Sequence, residues 1–396
     1  MFRDLSVSNI SAGLIAVIVG FSSSAVVVFQ AADAAGTTGV QAASWLWALG
    51  LGIGITSIGL SLLHRIPMVT AWSTPGAAAL IASLAGFSLE QAIGSFVMTA
   101  VLILLAGWTG QFERLTRSLS PAIANAMLAG VLLPFGVHVF SAITEQPVLV
   151  LSMISSYFLF RLWQPKYAVL VVAVLGLMVA WVQGQIQVQT LNLSFGYPVW
   201  QSPEFSLRAF LSLTVPLFLV TMASQNLPGI AVLVSSGYRS PTSSMLKWTG
   251  MTTLLLAPFG AFALNLAAIT AAICVTEDAH VDKDKRYVAA ISAGVFYLVL
   301  GLMAGTVVAF FASVPAAYLA TLAGLALLPT IANSLLAALR DEDDREAALV
   351  TLLATVSGVV MFGIGSAFWG MVMGYLVHWR HGILQRLLFT YVQWTK

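Results

Sequence analysis

The stretch Pro67-Met-Val-Thr-Ala-Trp-Ser-Thr-Pro-Gly76 interrupts a segment that would otherwise form one apolar helix. Proline lacks a backbone N–H and disfavours helix in the residue before it. The chain should therefore run extended to Thr74 and begin a half-helix near Pro75, a favourable first helical residue. Ser73 or Thr74 would cap this half-helix. The break predicts unpaired backbone N–H groups in the middle of an apolar segment.

The composition around this break identifies the class of protein. Of the 396 residues 59% are hydrophobic and 8% are charged, and the mean hydropathy is +0.94. Average soluble proteins carry about 25% charged residues, so this chain should be an integral membrane protein. A soluble enzyme, a nucleic-acid-binding protein and a receptor with a large aqueous domain are excluded. The single cysteine, Cys274, argues against a disulfide framework or a thiolate metal cluster, and we expect no metal or other cofactor.

Hydropathy predicts fourteen membrane spans, all expected to be helical because a spanning backbone must satisfy its own polar groups. The spans are predicted at about 11–32, 44–63, 68–84, 90–109, 121–137, 148–163, 167–183, 209–234, 245–258, 260–275, 287–312, 315–337, 346–363 and 365–379.

The basic residues indicate the orientation of these spans. With the N-terminus in the cytoplasm, all of the 17 basic residues except Arg208 fall on the cytoplasmic side. Such a distribution is the one the positive-inside rule requires. Both termini are therefore predicted to be cytoplasmic.

An internal repeat divides the chain near its middle. The stretch Pro121-Ala-Ile-Ala-Asn-Ala-Met-Leu-Ala-Gly-Val-Leu-Leu133 matches Pro315-Ala-Ala-Tyr-Leu-Ala-Thr-Leu-Ala-Gly-Leu-Ala-Leu327 at an offset of 194, with seven identities in 13 positions. This offset pairs each span with the seventh span after it, and an odd number of spans inverts the second copy. Inverted repeats of seven plus seven spans are typical of secondary transporters, although a channel could share them.

The repeat predicts a second broken span within 258–272, which is flanked by Pro and Gly and rich in small residues. Two half-helix N-termini that meet near the membrane midplane can hold an anion without a basic side chain. Lys and Arg occur inside the predicted spans only near span ends, at Arg161 and Lys247. Uncharged polar residues lie instead in spans 1, 8 and 10, where they are costly unless they face protein, water or substrate; they are Ser22, Ser23, Ser24, Ser224, Gln225, Asn226, Asn265 and Thr270.

At these residues the chain resembles the benzoate/proton symporter (BenE-type) family of bacterial inner-membrane transporters. The resemblance runs in order across most of the chain, through the stretches 70–76, 217–229, 265–274 with the charged loop 277–286, and 363–369. It implies import of benzoate with a proton, and a fold similar to that of the uracil and sulfate transporter superfamily.

In that fold the two repeats contribute to a core domain and a gate domain. The resemblance places the core in 1–120 (spans 1–4) and 208–314 (spans 8–11), and the gate in 121–207 (spans 5–7) and 315–396 (spans 12–14). Nucleobase carriers of the superfamily have carboxylates in spans 8 and 10, where this chain has Gln225, Asn226 and Asn265. The coupling residue therefore cannot be carried over, and neutral amides suit an anionic substrate better than carboxylates.

The predicted substrate site lies between the broken spans, at Thr74–Gly76 and Ala267–Thr270. Aromatic residues such as Phe21, Trp72 or Phe218 would flank the ring. The residues expected to bind substrate are Ser22, Ser23, Ser24, Trp72, Ser73, Thr74, Gly76, Ser224, Gln225, Asn226, Asn265, Ala268 and Thr270.

Proton coupling has no candidate inside a span. Asp33, just beyond span 1, is the proposed outer proton acceptor, and the alternative is that the proton travels with the substrate. Another organic anion, a nucleobase or a passive anion channel remain alternatives for function. An intramembrane enzyme is disfavoured because the spans contain no His-Glu-x-x-His motif and no paired aspartates. The expected environment is the lipid bilayer, and the sequence is compatible with a homodimer without indicating one.

Overall fold

The computed structural model describes residues 4–110, 120–186, 193–362 and 364–379. The predicted cytoplasmic ends of the chain at 1–3 and 380–396 lie outside this part, as does the side chain of Ser23. Within it the protein is helical apart from two three-residue strands.

The described residues of the first half form seven α-helices and one strand. They are α1 (Val7–Ala34), α2 (Gly39–His64), β1 (Thr70–Trp72), α3 (Thr74–Ser83), α4 (Leu89–Thr109), α5 (Pro121–Ser141), α6 (Pro147–Trp163) and α7 (Ala168–Val182).

The second half contains the remaining elements of the described chain. They are α8 (Leu207–Ser235), α9 (Thr242–Leu256), β2 (Leu264–Leu266), α10 (Ile269–Cys274), α11 (Tyr287–Leu302), α12 (Ala304–Ser313), α13 (Ala316–Leu339), α14 (Arg345–Val356) and α15 (366–379). Two π-helical turns, Phe210–Thr214 and Met222–Asn226, lie within α8.

The structure corrects the all-α prediction in one detail. The extended segments at the two breaks pair with each other as antiparallel strands, and Ala71 lies opposite Asn265. Pairing is required because an extended backbone buried at membrane depth must find partners for its N–H and C=O groups. Because the strands are antiparallel, α3 and α10 follow them at opposite ends of the pair.

The packing of the helices supports the predicted repeat. Helix α2 packs against α11, and α4 packs against α9. These helices occupy predicted spans 2 and 11 in the first pair, and spans 4 and 9 in the second. The predicted repeat partner of span 2 is span 9, and that of span 11 is span 4, so the repeat relates the two pairs. The pairs α5 with α13 and β1 with β2 each join an element to its own predicted counterpart.

Helix is present within every one of the fourteen predicted spans, but the helices differ in length. In the described part of the chain, six helices are long and apolar enough to cross a bilayer. Helix α1, which bends by 43° near its middle, is a seventh if it counts as one span. The six are α2, α4, α5, α8, α11 and α13. The protein thus has the helices of a multi-pass membrane protein, whereas the count of fourteen crossings stays a prediction.

Candidate substrate cavity

The N-terminus of α3 begins as the sequence predicts. Ser73 is the N-cap residue, and its Oγ accepts a hydrogen bond from the backbone N–H of Gly76 at 3.1 Å. Pro75 occupies the first turn, where its missing N–H costs no hydrogen bond. The Oγ1 of Thr221 in α8 donates to Ser73 Oγ at 2.9 Å. This contact ties the half-helix to α8.

The N-terminus of α10 has no such cap. Ala268 precedes the helix and makes no capping hydrogen bond. No residue of the described chain accepts a hydrogen bond from the backbone N–H groups of Ile269, Thr270 or Ala271. The Oγ1 of Thr270 is also buried and has no hydrogen-bond partner among the residues that the structure describes. These free donors lie at the edge of a cavity, which Ala267, Ala268, Ile269 and Thr270 help to line.

Helix α8 contributes to the cavity at its second π-helical turn. Such turns occur often at functional sites because they redirect side chains relative to a regular helix. Ser224 and Gln225 line the cavity. The Oγ of Ser224 donates to Val220 O at 2.6 Å, whereas the Gln225 amide makes no hydrogen bond within the described chain. The Gln225 amide is therefore available to a ligand.

Aromatic side chains form one wall of the cavity. The indole Nε1 of Trp72 donates to Ser24 Oγ at 2.9 Å. The Trp72 ring also lies edge-on to Phe21 at 5.9 Å and to Tyr297 at 6.0 Å between ring centroids. Trp72 and Tyr297 line the cavity, whereas Phe21 contacts Trp72 but does not line the cavity. Edge-to-face contacts of this kind orient aromatic rings.

The cavity has a volume of about 360 Å³, within the range of small-molecule sites. Among the described residues that line it, Tyr297 alone carries an ionisable side chain. The lining residues are Gly20, Ser24, Ala71, Trp72, Thr74, Asn125, Leu128, Ala223, Ser224, Gln225, Pro228, Ala267, Ala268, Ile269, Thr270, Tyr297, Thr330, Asn333, Ser334 and Ala337. This set of lining residues contains no His, Cys, Asp or Glu.

The structure brings seven of the predicted site residues to this cavity. They are Ser24, Trp72, Thr74, Ser224, Gln225, Ala268 and Thr270.

Five other predicted site residues do not line the cavity. Ser73 caps α3, and Gly76 packs so closely on Leu217 of α8 that a Cβ would lie 2.6 Å from its Cδ1. Asn226 is fully buried against β2, and Asn265 is fully buried within β2. Ser22 faces a separate apolar cleft.

The remaining predicted residues are Ser23, whose side chain lies outside the described part, and Asp33. The Asp33 carboxylate is exposed at the C-terminal end of α1 and does not line the cavity.

The cavity wall formed by α5 and α13 was not predicted from the sequence. Asn125, Thr330, Asn333 and Ser334 line the cavity from these helices. Asn125 Nδ2 donates to Pro121 O at 2.7 Å, and Asn333 makes no hydrogen bond within the described chain. The available signal was two amides inside apolar segments, a placement that marks a candidate functional residue.

A polytopic helical protein with two broken, mutually paired segments and an uncharged polar cavity at the break belongs to the class of membrane transport proteins. The comparisons with known proteins identify its family. The family model for "benzoate membrane transport protein" matches residues 3–379, and the chain belongs to this family.

Two curated relatives cover nearly the whole chain. The inner membrane protein YdcO of Escherichia coli (strain K12) is 45% identical over 363 residues, which are 92% of this chain and 93% of the relative. The benzoate membrane transport protein of Acinetobacter baylyi is 38% identical over 376 residues, 95% of each chain. Both relatives bear the names of membrane proteins, and one is named for transport.

Solved structures with low sequence identity share the fold. The transmembrane domain of the cyanobacterial bicarbonate transporter BicA matches with a TM-score of 0.63 at 14% identity, over 95% of this chain and 98% of that domain. The structure of SLC26A9 matches with a TM-score of 0.68 at 14% identity, over 97% of this chain. This chain spans 66% of the length of that longer protein.

Proposed function

We propose that the protein is a secondary active transporter that imports benzoate or a similar aromatic carboxylate with a proton by alternating access. The observation that carries this proposal is the cavity at the paired breaks, which offers free backbone and amide donors without a charged side chain. The substrate class comes from the family and from the named relative of Acinetobacter baylyi.

The carboxylate would bind at the half-helix ends. Helix α3 is ten residues long, and its N-terminus carries a partial positive charge. The free N–H groups at the start of α10 and the Gln225 amide supply further donors. A carboxylate that accepts several such hydrogen bonds stays ionised without a basic partner.

The aromatic ring would lie against Trp72. This indole is held by Ser24 and by edge contacts, so it is oriented before substrate binds. Leu128 of α5 lines the cavity as an apolar partner. Such preorganisation reduces the ordering cost of binding.

Alternating access would occur between the proposed core (1–120 and 208–314) and gate (121–207 and 315–396). The cavity supports this division because it is lined both by α1, α3, α8 and α10 of the proposed core and by α5 and α13 of the proposed gate. We propose fourteen spans in two inverted repeats, cytoplasmic termini and an inner-membrane location, the last supported by the name of the E. coli relative.

Proton uptake would take place outside the cavity, because no carboxylate or histidine of the described chain lines it. Asp33 is the proposed acceptor. It lies nine residues along α1 from the cavity residue Ser24, about 14 Å at the helical rise.

Uptake into proteoliposomes tests the function. Labelled benzoate should accumulate inside faster than in protein-free liposomes when an imposed pH gradient makes the exterior acidic, and should only equilibrate without the gradient. Equilibration in both conditions would indicate a passive channel. Competition by a panel of aromatic acids and nucleobases identifies the substrate class, and strong inhibition by nucleobases alone would contradict the proposal.

A further inference from the structure

Helices α2, α4 and α9 enclose an apolar groove that shares no lining residue with the substrate cavity. We call it the lateral groove. Its volume is about 470 Å³, and its lining residues are Ile55, Leu104, Trp108, Lys247, Trp248, Met251, Thr252, Leu255 and Leu256.

Close contacts between backbones create the walls of the lateral groove. A Cβ on Gly250 would lie 2.8 Å from Leu104 N, and one on Gly107 would lie 2.9 Å from Lys247 N. Helices α4 and α9 therefore touch along this line. The Trp248 ring packs against Gly59 of α2, where a Cβ would lie 3.1 Å from the ring. The walls are thus built by packed helices rather than by mobile side chains.

The lateral groove faces outward from the protein. Ile55 is 42% exposed, Met251 is 41% exposed and Leu255 is 65% exposed, although all three lie in apolar helices. In a membrane-spanning helix such residues contact hydrocarbon. The apolar part of the groove is therefore accessible to an acyl chain.

One end of the lateral groove is polar and cationic. Lys247 lies near the N-terminus of α9, and Trp108 lies at the C-terminal end of α4. Within residues 4–110, 120–186, 193–362 and 364–379, Lys247 makes no hydrogen bond or ion pair. Its ammonium group therefore has no partner in this part of the chain, and Trp108 and Trp248 are residues of the type that populates the headgroup region of a bilayer.

The spacing along α9 matches a lipid that enters from this end. Lys247 and Leu255 are eight residues apart, about 12 Å along the helix. A headgroup at Lys247 would thus place its acyl chain along Met251 and Leu255. The lateral groove thus combines an apolar surface for an acyl chain with two tryptophans and the Lys247 ammonium group.

We propose that the lateral groove binds one anionic phospholipid, with the phosphate at Lys247 and an acyl chain along Met251 and Leu255. The acyl chain of a zwitterionic lipid would also pack against the apolar wall, but the cationic group of its headgroup would be repelled by the Lys247 ammonium. The free ammonium therefore selects the anionic headgroup, as basic sites between membrane helices do.

Native mass spectrometry of the purified full-length protein tests this site. Phosphatidylglycerol should bind with one tight stoichiometric equivalent and more tightly than phosphatidylcholine of the same chain length. Lys247→Gln should weaken phosphatidylglycerol binding about fivefold and leave phosphatidylcholine binding unchanged. Equal binding of both lipids to the native protein, or an unchanged preference in Lys247→Gln, would overturn the proposal.

Two further variants separate the site from general effects. Lys285→Gln removes an exposed lysine that pairs with Asp282 at 3.3 Å and lies outside the lateral groove, so lipid preference should persist. Leu255→Trp should obstruct the groove and weaken the binding of both lipids. If Leu255→Trp instead abolishes a dimer that forms without lipid, a second copy covers the groove and the lipid proposal is wrong.

Discussion

Asn226 Oδ1 accepts a hydrogen bond from the backbone N–H of Leu266 at 3.0 Å. The side chain is fully buried, and this contact joins the π-helical turn of α8 to the outer edge of β2. Gly229, less than one turn further along α8, also lies against Leu266, where a Cβ would come within 2.6 Å of the Leu266 Cβ. The π-helical turn of α8 and the broken segment are therefore one packed unit.

Asn226→Ala should destabilise the protein. The substitution leaves the Leu266 N–H buried without an acceptor, at a cost of about 1–3 kcal/mol. The measurement is the thermal unfolding midpoint in detergent, with Gln225→Ala as the matched control because that amide makes no hydrogen bond in the described chain. A midpoint equal to that of the control would show that this bond contributes no stability.

Gln225→Ala should impair substrate binding and leave stability unchanged. A hydrogen bond to a charged group is worth about 1.5–3 kcal/mol, so the half-saturation concentration for benzoate uptake should rise about tenfold or more. Uptake kinetics in proteoliposomes measure the change. Native half-saturation in Gln225→Ala would remove this amide from the substrate site.

Thr270→Val should weaken binding without loss of stability. The Thr270 hydroxyl is buried, lines the cavity and has no partner in the described part of the chain, so a substrate is its expected acceptor. Valine keeps the shape and removes the unpaired polar atom. Thr321→Val is the control, since that hydroxyl is also buried and unpartnered but does not line the cavity. The half-saturation concentration should rise in the first variant alone, and equal values would contradict a role for Thr270.

Arg286→Gln should destabilise the C-terminal end of α10. The guanidinium is 9% exposed, and it donates to Val275 O and His280 O at 2.7 Å each. Its charge also complements the negative end of the helix dipole. We expect a loss of about 1.5–3 kcal/mol, seen as a lower unfolding midpoint and partly restored by Arg286→Lys. The exposed Arg345→Gln should have little effect, and comparable losses in both variants would refute the assignment.

The break at β1 was predictable because local chemistry determines it. Pro75 cannot donate to a preceding turn, and Ser73 has the side chain of an N-cap, so the sequence locates the start of α3 to within one residue. The pairing of β1 with β2 was not predictable in the same way, since the two strands are nearly 200 residues apart.

The functional side chains of α8 were harder to assign. Gln225 and Asn226 are adjacent amides with similar chemistry, yet one lines the cavity and the other supports β2. A π-helical turn shifts the helical register, so periodicity alone cannot separate their roles. Asn125 and Asn333 were missed because the wall they form depends on how α5 and α13 pack against the other helices.

Asp33→Asn should uncouple uptake from the pH gradient. Since no carboxylate of the described chain lines the cavity, a protein-borne proton must bind elsewhere, and Asp33 is exposed on the helix that carries Ser24. A gradient of one pH unit supplies about 1.4 kcal/mol per proton, enough for about tenfold accumulation. The variant should accumulate little benzoate under this gradient but retain exchange of labelled for unlabelled substrate. Glu145→Gln, at another exposed helix end, is the control. Accumulation at the native ratio in Asp33→Asn would exclude Asp33 as the proton acceptor, because a coupling carboxylate cannot be replaced by an amide that binds no proton.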